Sequence, residues 1–327
     1  MSCNEEGINT AMAEIITDEL NLAKRKRNAF LQALSKDKYL YLMLLPGVVY
    51  FILFKYVPMY GVVIAFQDFD IFKGILQSDW VGLAVFREVF DSPEFWMILR
   101  NTILISLYKI MWGFPAPIII AVLLNEMTSA KFKKAIQTVL YLPHFISWVV
   151  IYGVVLAIMS PNDGLVGLFY NLIGKPPHNI LADPRYFRTI LVASDVWKGM
   201  GWSSIVYLAA ITQVDPSQYE SATIDGAGRL QKMWHITMPA IRNVVIVLLI
   251  LQIGSLMHAG FEQILVMQNS AVRSISEVFD TFVYQYGLRQ GNYSFATAVG
   301  LFNSVVAMIL IVLAQWVSKL FGEEGLV

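Results

Sequence analysis

"PSQYESATIDGAGRLQKMWHITMPAI", residues 216–241, is a polar island between two long apolar runs. Asp215 just ahead of it can cap a helix, Pro216 suits the first helical position, and Gln218 stands where a capping box takes its partner. The spacing predicts a helix through "SQYESATI" that stops at Asp225-Gly226, because Gly226 adopts positive φ at no steric cost and Asp225 can cap the next turn. A second helical stretch, "RLQKMWHITM", then leads to Pro239. The expected product is a helix-turn-helix with the small residues Ser221, Ala222, Ala227 and Gly228 along its contact side and Glu220 as the acid offered to a basic partner. An amphipathic connector that only returns the chain to its apolar surroundings fits these residues too, so the flanks must decide.

Those flanks are lipid-like. The 327 residues are 57% hydrophobic and 15% charged, with a mean hydropathy of +0.58; a soluble chain would carry about 25% charged residues. One bundle of several spanning helices is the expectation. The zero formal net charge gives no bulk preference for nucleic acid. The single cysteine, Cys3, excludes an intrachain disulfide and a cysteine metal site, and no metal-ligand set is expected. The first residues, acidic and polar, lack the order of a secretory signal, so the N-terminus is expected to stay in the cytoplasm.

A span needs roughly 20 apolar residues, and six runs qualify, at about 40–66, 98–124, 139–159, 189–211, 240–267 and 296–317. By alternation, 13 basic residues share the side of the island, among them Lys24, Arg25, Lys26, Arg27, Lys131, Lys133 and Lys134, against 8 opposite. The positive-inside bias puts both termini and the island in the cytoplasm. Three aromatic-rich segments on the other side, about 67–99, 160–188 and 268–294, read as interfacial caps or as a docking surface for an external partner.

The fuller pattern "YESATIDGAGRLQKMWHITMPAI" resembles the cytoplasmic signature of ABC-importer permeases, E-A-A-x-x-x-G followed by a fixed stretch ending in an apolar residue and Pro. Glu220, Ala222, Asp225, Gly226, Ala227, Ile236 and Pro239 match, while Ser221 replaces an alanine, Trp234 a phenylalanine and Met238 a leucine. "LLPGVVYFILFKYVPMYGVVIAFQDFD", "GFPAPIIIAVLLNEM", "VLYLPHFISWVV", "WKGMGWSSIVYLAAI" and "GFEQILVMQNS" resemble permeases of the carbohydrate-uptake, maltose-type class. The nearest branch is the one for complex plant or algal oligosaccharides.

The resemblance implies an all-α membrane protein of the type I importer kind: six transmembrane helices, cytoplasmic N- and C-termini and a cytoplasmic coupling helix. The expected organisation is a tail at 1–39, a permease domain at 40–319 containing a coupling loop at 213–239, and a tail at 320–327. Expected partners are a second homologous permease, two ATPase subunits, an extracytoplasmic solute-binding protein and an oligosaccharide, with an acidic, uronate-bearing one such as an alginate or pectin fragment as the guess. A bacterial inner-membrane location follows from the same likeness. No phosphate loop G-x-x-x-x-G-K-[ST] occurs in the chain, so ATP and Mg would belong to the ATPases and the chain carries no cofactor. A non-sugar ABC permease and an ion-coupled secondary transporter are the competing classes.

The resemblance assigns ATPase coupling to Glu220, Ser221, Ala222, Asp225, Gly226, Ala227 and Pro239. Polar residues inside spans are expensive and default to functional readings. Glu262, Gln263 and His258 in the fifth run, Asn303 in the sixth and Lys198 in the fourth are the candidates for a substrate path. Asp195 and Lys198, three residues apart, are expected to pair with each other; Lys109 reads as a counterion or a snorkelling lysine, Asn125 as the end of the second span, and His144 as structural. No catalytic grouping stands out.

Overall fold

Proline and charge decide which apolar runs stay straight. The structure, a computed structural model, describes residues 36–320, excepting the side chains of Ser318 and Leu320. Cys3, the basic cluster Lys24 to Arg27, most of the 1–39 tail and the chain beyond Leu320 lie outside the described residues. The described chain falls into two units divided between Val62 and Val63.

The first unit consists of most of α1, Lys38–Phe66, an apolar helix with Pro46 and Pro58 inside it. Pro58 has no N–H to give to the preceding turn, and the ladder widens to a π turn over Ile52–Tyr56 just before it, then tightens to 3-10 geometry over Tyr60–Phe66. Its large apolar side chains, Leu42, Met43, Phe51 and Phe54 among them, are exposed. Exposure of that many large apolar side chains marks a surface meant for lipid or another subunit.

The second unit begins with a short antiparallel pair, β1 (Gln67–Asp68) and β2 (Asp79–Trp80), in register Gln67 to Trp80. There follow α2 (Ala84–Asp91), α3 (Pro93–Asn125), α4 (Ala130–Phe145), α5 (Trp148–Met159) and α6 (Leu165–Leu172). Next come α7 (Pro184–Ile211), α8 (Pro216–Ile224), α9 (Arg229–Ala240) and α10 (Arg242–Gly254). Then come α11 (Phe261–Met267), α12 (Phe279–Val283) and α13 (Tyr293–Leu320), with a single turn at Arg273–Ser276 between the first two. Among the described residues α1, α3 and α13 are long and apolar enough to cross a membrane, and the bent pairs α4–α5 and α9–α10 bring the number to five.

Three runs depart from their expected continuity or bounds. The run 139–159 bends by 106° between α4 and α5. Ser147 starts α5 by accepting from the Val150 amide at 3.4 Å, while the carbonyls freed at the bend are satisfied from α7. There Lys198 Nζ donates to the carbonyls of Pro143 (3.3 Å), His144 (2.8 Å) and Ile146 (2.5 Å), and also lies 5.5 Å from the centre of the Trp148 ring. At the same elbow Gly201 is obligatory, because a Cβ there would stand 2.0 Å from the Leu140 carbonyl oxygen. The run 240–267 is likewise not one helix: α10 stops at Gly254 and α11 begins at Phe261. The fourth run starts earlier than its apolarity suggests, at Pro184, since Asp183 caps α7 by accepting from the Arg185 amide at 2.9 Å. Arg188 therefore lies inside the helix rather than in the preceding loop.

Helix α7 is the axis of this unit. Its first half packs Phe187, Ile190 and Leu191 with Ile105, Ile151, Ile264 and Met267, and its second half packs Tyr207 and Ile211 with Ile118, Ala121 and Ile241. A third cluster joins Val89, Phe95, Ile98, Phe279, Phe282 and Val299 from α2, α3, α12 and α13. In lipid such contacts hold by close packing and dispersion rather than by escape from water.

Candidate functional site

The first candidate is the polar island, which folds as α8, a turn, and α9. Asp215 Oδ1 accepts from the Ser217 amide at 2.9 Å, so the cap is a carboxylate on a free backbone N–H rather than the reciprocal Asp215–Gln218 box that the spacing predicts. That backbone bond holds the Asp215 carboxyl below the usual aspartate range. The helix ends in a Schellman arrangement: the Ala227 amide donates to the Ala222 carbonyl (2.8 Å) and the Gly226 amide to that of Thr223 (3.1 Å). Gly226 sits at φ 77° with nothing within 4 Å of a would-be Cβ, so backbone conformation alone demands glycine there. The next turn opens with the Gly228 amide donating to Gln231 Oε1 at 2.7 Å, and Asp225 takes no part in that cap.

Two side-chain links fix the arms to each other. Tyr219 Oη and the buried Thr237 Oγ1 are 2.9 Å apart, and Lys232 Nζ donates to Thr223 Oγ1 at 2.6 Å. Between the arms lies a hollow of about 320 Å³ lined by Ala222, Asp225, Gly226, Ala227 and Ile236 among others. Outside it, Glu220 and Ser221 are exposed, and Ile224, Leu230 and Trp234 are 87%, 70% and 63% exposed. Pro239 lies in the last turn of α9, next to the 62° bend into α10. A rigid hairpin that presents an unpaired acid beside three large apolar side chains is built to dock.

The second candidate is a central cavity of about 410 Å³ between α3, α7 and α10, lined by Lys109, Asp195, Gly199, Trp202, Ser203, Tyr207 and Gln252, among others. A smaller space of about 140 Å³ adjoins it, lined by Ser106, Ser255 and His258 and sharing Lys109, Asp195 and Gln252. Lys109 Nζ meets Asp195 Oδ1 at 3.1 Å and donates to Gln263 Oε1 at 2.5 Å. Gln263 in turn donates to the Leu191 carbonyl (2.7 Å) and Ser194 Oγ (2.9 Å). A lysine ammonium buried to this degree survives only with such partners.

This geometry corrects several expectations. Asp195 pairs with Lys109 of another helix and not with Lys198, whose ammonium is taken by the carbonyls of the α4–α5 elbow. Lys198 therefore staples a bend and does not line the cavity. Gln263 is fully buried with its amide committed, so it positions Lys109 rather than lining an open path. Asn303 is also buried, its Oδ1 without a partner, away from the cavity walls. His258 does reach the smaller space and lies 3.3 Å from Asp280; Glu262 is exposed and outside both spaces. The residues that sequence reasoning passed over, Gly199, Trp202, Ser203 and Gln252, carry a signal only in hindsight of helix phase: Asp195, Gly199 and Trp202 share one face of α7.

Residues 113–323 match the family described as binding-protein-dependent transport system inner membrane component. The chain is 48% identical over 309 residues, 94% of its own length and 96% of the relative's, to the polygalacturonan/rhamnogalacturonan transport system permease protein YteP of Bacillus subtilis. It is 46% identical to Protein LplB of the same organism, over 93% and 96% of the two chains. A solved structure of a bacterial ABC transporter involved in import of the acidic polysaccharide alginate superposes with a TM-score of 0.82 at 38% identity, covering 89% of this chain and 98% of that one. A second, the bacterial alginate ABC transporter in complex with an alginate pentasaccharide-bound periplasmic protein, gives 0.83 at 37% identity, covering 90% and 99%. The hairpin, the apolar helices and these likenesses agree: the chain belongs to the binding-protein-dependent transport system inner membrane components, the multi-pass permease subunits of ABC importers, whose ATP hydrolysis is done by separate subunits.

Proposed function

We propose that this permease moves an acidic oligosaccharide, of the alginate- or pectin-fragment kind, received from an extracytoplasmic solute-binding protein. It would work in the bacterial inner membrane beside a second homologous permease and two ATPases that hold the ATP and Mg. Both termini and the 213–239 loop would face the cytoplasm, and six crossings would result once α7 is added to the three straight helices and the two bent pairs. Helix α7 rises about 42 Å over its 28 residues, ample for a span, though Arg185, Arg188, Asp195 and Lys198 lower its apolarity.

The observation that carries this reading is the α8–α9 hairpin, with Glu220, Ile224, Leu230 and Trp234 turned outward and rigidified from within. Docked in an ATPase cleft, Glu220 would meet a basic residue while the apolar trio fills the socket, and the Pro239 bend would pass movement to α10. The central cavity supports a polar route for sugar, since Trp202, whose ring is stacked on His144 on one face, lines it beside Asp195, Ser203 and Gln252. Kinship at 48% and 38% identity with permeases named for polygalacturonan and alginate supports the acidic class. Family membership leaves the ion-coupled carrier without support.

The test is uptake by proteoliposomes containing the full complex and its binding protein, offered trigalacturonate and galactotriose. ATP-dependent accumulation of trigalacturonate is expected. Accumulation of neither sugar, or of the neutral one alone, overturns the substrate class.

A further inference from the structure

We propose that α3 and α7 form a second, outer carboxylate-reading subsite for the oligosaccharide, distinct from the central cavity and centred on Arg188. It rests on the acidic-oligosaccharide reading and assigns that substrate a further place to bind.

The observation is a cavity of about 700 Å³ at the end of α7 remote from the 213–239 loop. Tyr108, Trp112 and Trp197 supply ring faces, and Arg185 and Arg188 supply guanidinium groups. This is the size that encloses a ligand larger than a single sugar ring. Val196 and Met200 line both this cavity and the central one. Arg188 stands seven residues before Asp195, so it lies on the same face of α7 and about 10 Å further along the axis.

Arg188 is held rather than free. Its Nε donates to the Ile275 carbonyl at 3.0 Å and its Nη2 to Asn101 Oδ1 at 2.8 Å, while Asn101 Nδ2 donates to the Ser274 carbonyl at 3.0 Å. Both partners are neutral oxygens, and among the described residues no carboxylate lies within ion-pair distance of Arg188. Two of its five N–H groups are committed, which leaves both on Nη1 and one on Nη2 for an incoming acceptor. Arg100, near enough to act on it electrostatically, adds a second positive charge, while Arg185, at the same cavity, is 3.9 Å from the Asp183 carboxylate. A half-buried, oriented guanidinium with only neutral partners, in positive surroundings and flanked by three aromatic faces, matches a uronate unit: the carboxylate takes the guanidinium and the sugar ring lies against the indoles. A neutral sugar would gain the stacking alone.

The experiment is cysteine protection in the complete reconstituted complex. In a Cys3→Ser background, Trp112→Cys and Thr189→Cys are each exposed to a membrane-impermeant methanethiosulfonate, and modification of this chain is read by mass. Both positions are expected to react. Trigalacturonate is expected to slow the reaction roughly tenfold, the worth of a hydrogen bond to a charged group, with galactotriose at the same concentration doing much less. Arg188→Gln should remove that difference and Arg188→Lys keep part of it. If Arg188→Gln fails to assemble, Arg185→Gln takes its place and should reduce the difference.

Failure of either cysteine to react means that lipid or the second permease covers this face, and overturns the subsite. Equal protection by the two sugars, or none by trigalacturonate, also overturns it. Uptake of trigalacturonate by the unmodified complex is scored separately, so the subsite can fail while the substrate reading stands.

Discussion

Helices α1 and α7 are almost equal in length, 29 and 28 residues, and opposite in what surrounds them. Along α1 the large apolar side chains are exposed, and its prolines are absorbed by local changes of helical pitch. Helix α7 buries residues along both halves and spends its charges on particular partners: Arg188 on Asn101 and the Ile275 carbonyl, Asp195 on Lys109, and Lys198 on three carbonyls of an elbow. The lesson is that apolarity marks the helix that faces lipid or another subunit, whereas the helix that does the work is less apolar because its polar groups are matched one by one.

The comparison breaks first at Asp195. Replacing it with Leu strands the buried Lys109 ammonium; since Asp195 is itself 34% exposed, the cost lies below the roughly 3–5 kcal/mol of breaking a fully buried pair. A large fall in the melting temperature of the purified complex is expected, and the double change Lys109→Met with Asp195→Leu should recover much of it; no recovery would mean that the charges are needed for more than each other. Next comes Gly201→Ala, whose Cβ would stand 2.0 Å from the Leu140 oxygen. Overpacking of this kind costs about 1–3 kcal/mol, whereas Gly199→Ala meets nothing within 4 Å and should melt like the parent.

Gly226→Val forces a β-branched residue to φ 77°, at about 1–2 kcal/mol for the left-handed conformation. Because the strain falls on the hairpin proposed to dock, ATPase activity is expected to persist while uptake falls; normal uptake with normal stimulation by the loaded binding protein would refute the proposed coupling role. A smaller effect is tied to pH. The Asp215 carboxyl titrates below its ordinary value, so its cap stabilises α8 above the usual aspartate range and weakens as pH falls through the lowered folded value. Amide exchange in the 216–224 segment, corrected for the intrinsic rate, should accelerate at the acid end and in Asp215→Ala lose that pH dependence. Least of all, Leu44→Ile in α1 should shift melting by less than about 0.5 kcal/mol, since it exchanges one exposed apolar side chain for another.

The same contrast explains what was legible in the sequence. The hairpin could be read closely, because caps, an Asp-Gly stop and a closing proline are local signals; the Gln218 box gave way to a simpler Asp215 cap, and Gln231 rather than Asp225 caps the next turn. The straight spans α1, α3 and α13 announced themselves by apolarity. The elbow at 142–147 and the break at 255–260 did not, because what stabilises them comes from distant residues: Lys198 and Gly201 for the first, and the packing of α11 against α5 and α7 for the second. For the same reason Lys198 looked like a substrate contact and Gln263 like a path residue. Both are polar residues within apolar runs, but spacing cannot say that their bonds are already taken. Arg188 was hidden by a boundary, since apolarity starts the helix five residues later than the Asp183 cap does.

The near-contact of Gly201 with Leu140 also limits how this permease can be altered. Trp202 and Ser203 face the central cavity, while their neighbour Gly201 is wedged against another helix's backbone and Lys198 is bolted to the elbow one turn away. Anyone reshaping the route for a bulkier cargo therefore has a narrow strip of α7 to vary, bounded on its back by a seam that tolerates no added atom. Selection works under the same restriction, so variation in cargo is expected to appear along that strip while the seam stays fixed.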